Sequence, residues 1–410
     1  MGSLMKPIIS NKTRRRSTIL IAGAVIQLCA GIIYMWGVFK KPVGAYLHWD
    51  GGSVALVASI MMVGFVFGIL LGGRMLDRYG ARTTTLAGSI TMSAGILATS
   101  LVTSAFPELL YVTYAVIGGL GVGIVYSSAV SNVQKWYFER RGFATGVMVG
   151  AFGFSMVIFA PIADALLSSV GVPETFIILG LIFLVVCVPS SLLLADPPEG
   201  YTVGKANAKI DPQKVQKQYT PREMLKTKAF YLLFLSMFFV LPAFFILNPQ
   251  FVTLGMERGL TKSEALLGVT LVGICSASGR LSIAWISDKI GRDESILLTI
   301  IITAAGVLMI TVAQQYMFLV CLALISFAFG GVAGAYPSAT SSRFGTKFIG
   351  TNYGLVCLAL GASSVTFTLA SNYLAKGGDY TSSFLLAGAT CAISFVLVLL
   401  LRRNKMGSPA

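Results

Sequence analysis

Charge is what this sequence has least of. Asp, Glu, Lys and Arg make up 11% of its 410 residues, where a soluble domain carries roughly 25%. That is too little to cover a water-facing surface. The charges also cluster: residues 295–342 contain no Asp, Glu, Lys, Arg or His, room for two apolar spans of about 20 residues and a turn. Residues 83–107 and 380–401 are equally bare and hold one span each. Histidine is reduced to His48, in a short loop, so imidazole chemistry is not expected. The six cysteines, Cys29, Cys187, Cys275, Cys321, Cys357 and Cys391, fall in apolar runs with no CxxC spacing. They read as small buried apolar residues, not as a metal site or a disulfide framework. No nucleophile–base pair and no phosphate loop appears, so neither an enzyme nor an ATP-driven pump is expected, and no cofactor. The glycine run at 118–123 lies inside an apolar stretch with no strand before it, which fits close helix packing better than nucleotide binding. A β-barrel is excluded, because its strands alternate and run only about 9–11 residues.

What remains is an all-α integral membrane protein. The hydropathy pattern predicts twelve spans, near 18–39, 53–73, 83–105, 108–134, 142–167, 174–194, 229–252, 264–287, 295–314, 316–340, 350–375 and 381–402. The first apolar run opens directly into a full span, with no cleavable signal pattern. The loops alternate in charge. Every Lys and Arg except Lys40, Lys41, Arg258, Lys262, Lys376 and Arg280 falls in one set, which includes both termini. The positive-inside rule then places both termini in the cytoplasm. It also accounts for the net charge of +15 without nucleic acid, for which no exposed domain is long enough. Short loops point to a prokaryotic inner membrane. The polar stretch 196–228 is predicted to link two six-helix bundles, 1–195 and 229–410.

Two loops, half a chain apart, carry one pattern. The loop after the second span contains Asp77-Arg78-Tyr79-Gly80, and the loop after the eighth contains Asp288-Lys289-Ile290-Gly291. The glycine permits a positive φ in a tight turn. The aspartate sits at a helix end, where it can pair with bases or cap the next helix. Such a pair can latch one conformation of a rocking protein. The doubled pattern resembles motif A of the major facilitator superfamily, across nearly the whole chain. Residues 279–292, residues 121–126 with Lys135-Trp136-Tyr137 and Arg141-Gly142, and Asn352-Tyr353-Gly354 resemble the oxalate:formate antiporter family, which merges with the monocarboxylate porters. The resemblance implies two six-helix bundles around a mid-membrane substrate site, worked by alternating access.

Arg280 is the leading candidate for that site. It lies eight residues before Asp288, about 12 Å above the helix end. A guanidinium there costs at least roughly 2.5–3.5 kcal/mol unless it faces a wet cavity or a partner. The matching position in the first half is Ile69, so the arginine is not part of the shared scaffold. Its planar fork suits a carboxylate, the role the resemblance also implies. Where the oxalate exchangers place a lysine in helix eleven, this chain has Leu360. One buried cation matches a monoanion better than a dianion, so a monocarboxylate of the L-lactate class is expected. Where animal monocarboxylate porters place an aspartate one turn before the arginine, this chain has Ser276.

Other expected cavity residues are Tyr126, Phe329 and Cys357, at depths comparable to Arg280, with Tyr34 and Tyr114 nearer the far side. Glu257 and Lys376 are expected as a gate pair closing the far mouth, with Glu257 a candidate for proton coupling. The expectation is therefore a monomeric, proton-coupled carrier in a lipid bilayer. Exchange of anions of the oxalate and formate type is the alternative.

Overall fold

The computed structural model describes residues 5–49, 51–198, 217–247, 251–374 and 380–404. Among the described residues every regular element is a helix. Eleven continuous stretches are long and apolar enough to cross a membrane. They are α1 (Arg16–Leu47), the pair α2–α3 (Leu56–Leu101), α4 (Tyr111–Trp136), α5 (Phe138–Ser169), α6 (Val172–Leu193), α7 (Lys228–Leu247), α8 (Ser263–Ile290), α9 (Arg292–Ile310), α10 (Gln315–Phe344), α11 (Ile349–Ser371) and α12 (Thr381–Arg403). The second stretch is two spans joined at Gly80, whose φ of 80° and ψ of 173° leave the helical region. Twelve spans result, as the hydropathy predicts.

The loop expected between α2 and α3 is a one-residue corner. Helix runs up to Gly80 and restarts at Ala81, whose N–H donates to the Asp196 carboxylate at 2.7 Å. A carboxylate at a helix N-terminus satisfies an orphan donor and faces the positive end of the dipole, so the turn needs no further residues. Gly291 repeats the corner between α8 and α9 with φ 110°. The first span also runs further than expected, to Leu47, with a tightened 3₁₀ turn at Gly31–Met35. Two other spans depart from regular helix. α4 opens into a wide π-type turn at Tyr111–Gly118, and α7 breaks after Val240, ahead of Pro242. Proline removes a backbone donor and clashes with the preceding turn.

Two bodies of core appear. One is built from residues 19–194 with Ile349, Tyr353 and Cys357 added from α11. The other holds two clusters, built from residues 224–401. The glycine run in α4 packs as expected: a Cβ at Gly123 would lie 2.1 Å from the Phe65 carbonyl oxygen on α2, so no larger residue fits.

The bodies close against each other on the face that carries both aspartate corners, here the basic face. Asp77 Oδ2 accepts from the Thr351 N–H at 3.0 Å and its hydroxyl at 2.7 Å, at the start of α11. Asp288 accepts from the Gly142 and Phe143 N–H groups at 3.0 and 2.8 Å, near the start of α5, and pairs with Arg292 at 2.6 Å. Each aspartate therefore caps a helix of the opposite body, not the next helix in its own, which corrects that part of the sequence reading; the expected pairing with a base is present at Asp288. Arg78 and Lys289, the bases beside them, are exposed and lie over the rings of Tyr79 (5.2 Å) and Trp285 (3.6 Å).

Candidate substrate site

Along the seam between α5 and α8, α5 presents Gly142, Gly146, Gly150 and Gly153, each facing α8 atoms. The spacing keeps them on one face. A Cβ at Gly142 would lie 2.0 Å from the Ala284 carbonyl oxygen, so the helices can approach this closely only because the stripe is glycine. At its upper end sits Arg280, 2% exposed. One terminal nitrogen donates to the Val149 carbonyl of α5 at 3.3 Å, the other to the Tyr34 hydroxyl of α1 at 2.9 Å. The charge lies 5.1 Å from the Tyr34 ring centre and 5.9 Å from that of Phe152. Nε has no partner among the described residues, and no described carboxylate is within ion-pair distance of the side chain.

The arginine stands at the junction of two cavities. The larger, about 370 Å³, is lined by Tyr34, Ser276, Phe244 and Phe329 among others, toward the span ends away from the basic face. The smaller, about 30 Å³, continues inward between Tyr126, Phe152, Cys357 and Leu360. Tyr34, Arg280 and Phe329 line both. Phe329 is stacked face to face on Phe244, 3.7 Å between centroids. Tyr126 meets Phe152 edge on at 4.9 Å. The arrangement is one positive fork in a largely aromatic wall, with hydroxyls close by, which can hold a small amphiphilic anion by its charged end.

Six expected cavity residues thus come together: Arg280, Tyr34, Tyr126, Phe329, Cys357 and Ser276. Tyr34 is level with the arginine and not nearer the far side. α1 and α8 run in opposite directions, and a helical side chain leans toward its own N-terminus, so residues at different backbone heights lean toward each other.

Tyr114 is a correction. It is fully buried in the first body against Trp36, 5.0 Å away, and Phe176, 5.8 Å away, its hydroxyl donating to the Ile32 carbonyl at 3.5 Å. Between Tyr114 and Tyr126 the span passes through the wide π-type turn, which changes the rotation per residue, so Tyr114 does not share the facing of Tyr126. Glu257 is exposed at the end of the short helix Phe251–Glu257; its expected partner Lys376 lies outside the described residues. The Val149 carbonyl, Phe152 and Thr351 were not anticipated. A main-chain acceptor has no signature in the sequence, although the glycine stripe facing it does.

A model of the Major Facilitator Superfamily matches residues 19–365 and 233–409. Among curated relatives, the oxalate:formate antiporter of Oxalobacter formigenes is 27% identical over 385 residues, covering 91% of this chain and 88% of that one. Monocarboxylate transporter 12 of Xenopus laevis is 23% identical over 393 residues, covering 89% and 84%. The fold is similar to that of the transporter FucP in an outward conformation, with a TM-score of 0.73 at 14% identity over 93% of this chain and 98% of that one. With twelve spans, two aspartate corners closing one face and a family model matching nearly the whole chain, the protein belongs to the major facilitator superfamily of transporters.

Proposed function

We propose that the protein is a secondary active carrier of a small monocarboxylate of the L-lactate class, with Arg280 as the carboxylate fork. The observation that carries this reading is a buried guanidinium, without a described acidic partner, at the junction of the two cavities. A guanidinium is matched by a carboxylate in shape and charge. Leu360, beside it in the inner pocket, supplies no second cation, so one negative charge completes the site. Tyr34 accepts from Arg280, which leaves its own proton to donate to the bound acid. In alternating access the basic face is cytoplasmic, and the Asp77 and Asp288 corners hold it shut while the other side is open.

Net movement of a monoanion needs a compensating cation, and we assign this role to a proton. Among the described residues no Asp or Glu lines either cavity. Coupling in this reading falls to Glu257, outside them. A Glu257→Gln protein whose uptake still follows the pH gradient removes that assignment. Similarity to the oxalate:formate antiporter supports a second reading, exchange of one carboxylate for another.

Labelled L-lactate uptake into proteoliposomes, at flat and acid-outside pH, tests both. Uptake that rises with the gradient in the wild type and disappears in Arg280→Gln is the expected result. No lactate uptake, with oxalate or formate flux stimulated from the opposite side, establishes exchange.

A further inference from the structure

We propose that Arg280 is also a latch between the two bodies, and that an acid carboxylate opens the basic face by drawing the guanidinium off it. The inference rests on the reading of Arg280 as the carboxylate fork and concerns what the arginine is bonded to. Both of its hydrogen-bond partners, Val149 and Tyr34, belong to the first body, whereas Arg280 rides on α8 of the second. It therefore ties α8 to α5 and α1 at the top of the glycine stripe. The Asp288 cap ties α8 to α5 at the bottom. Opening the basic face separates α5 from α8 and has to break both ties.

The upper tie depends on a sequence detail. A helical carbonyl already accepts the N–H four residues on, and its second lone pair is ordinarily screened by the side chain there. For Val149 that residue is Gly153. A Cβ at Gly153 would lie 3.0 Å from the donating Arg280 nitrogen and 3.2 Å from Cδ and Cζ. A methyl there would make the guanidinium give by a few tenths of an ångström, against a bond to the carbonyl that is already long at 3.3 Å. Gly153 is thus a positioning residue acting through Arg280.

A carboxylate is a stronger acceptor for a guanidinium than a carbonyl or a phenol oxygen. Seated at the cavity junction, it satisfies the charge from the cavity side and weakens its hold on α5 and α1. Load and release are coupled through one side chain: the ligand competes with the contacts that keep the basic face shut.

The test is hydrogen exchange of the α5 amides 142–149 in purified full-length protein, without added acid and with L-lactate. Without acid, Tyr34→Phe and Gly153→Ala are each expected to exchange about tenfold faster than wild type, the weight of one hydrogen bond to a charged group. Alanine is the better helix former, so faster exchange in Gly153→Ala does not come from loss of helix. Tyr114→Phe, a buried tyrosine that does not touch Arg280, is expected to match wild type. Wild-type rates in both Tyr34→Phe and Gly153→Ala overturn the latch, as does equal loosening by Tyr114→Phe. If the two variants loosen the seam but L-lactate leaves wild type unmoved, the tie stands and the L-lactate reading falls.

Discussion

The two halves of the protein carry the same corner and different chemistry above it. At Asp77 and Asp288 the arrangement is nearly duplicated: a carboxylate caps a helix of the other body, a glycine turns the chain, and the adjacent base lies over an aromatic ring. Eight residues before each aspartate the duplication ends, with Ile69 on α2 and Arg280 on α8. Both are buried, at 1% and 2% exposure, and both line the inner pocket. The aspartate corners are thus common to the halves, and the buried cation is placed on one. The inner pocket between them therefore has a cation on one side and an aliphatic wall on the other, which suits the short acid with an apolar tail of the proposed function.

Single substitutions separate the shared corners from the chemistry above them. The largest effect is expected from Arg280→Gln, which removes the charged side and should lower saturable L-lactate uptake by about 100-fold or more, the weight of two charge-assisted hydrogen bonds. Next is Leu360→Lys, which adds a second cation to the inner pocket. It should shift the preference between L-lactate and oxalate by about tenfold toward the dianion, read as competition against labelled uptake. The corners themselves differ in one respect, since Asp288 has an ion pair to Arg292 in addition to its two caps. Asp288→Asn should therefore destabilise the closed basic face by about 1.5–3 kcal/mol, and more than Asp77→Asn, measured by thermal unfolding or by exchange of the capped amides. An equal effect from the two would show that the ion pair contributes nothing. The smallest effect is expected from Ile69→Ala, which widens the apolar side. It should improve KM for acids one or two carbons longer by no more than about tenfold and leave uptake arginine-dependent.

The twelve spans were legible because bilayer thickness imposes a run length that charge placement cannot hide. Arg280 was legible for the same reason, being a buried cation on a helix otherwise suited to lipid. The corner at Gly80 was visible as a glycine, but its brevity depends on Asp196 arriving from the far end of α6, a contact that no local pattern announces. Tyr34 and Tyr114 divide on direction. The heights of both could be counted along the chain. Their facing depends on the lean of antiparallel helices in one case and on helical rotation in the other. The cross-body partners of Asp77 and Asp288 required the two bodies to be docked before they existed as caps at all.

Trp36 gives the outer cavity a further property. The chain has four tryptophans, and this one is 5% exposed, lines the outer cavity and anchors its indole N–H on the Val54 carbonyl at 2.9 Å. Trp136 is buried near the basic face and donates to the Ala195 carbonyl, and Trp285 stands half-exposed under Lys289. The fourth, Trp49, packs on Tyr111 at 4.9 Å. The protein therefore carries its own optical reporter. Under the proposed function an acid entering the outer cavity would change the surroundings of Trp36 first, so occupancy could be followed by intrinsic emission without a label.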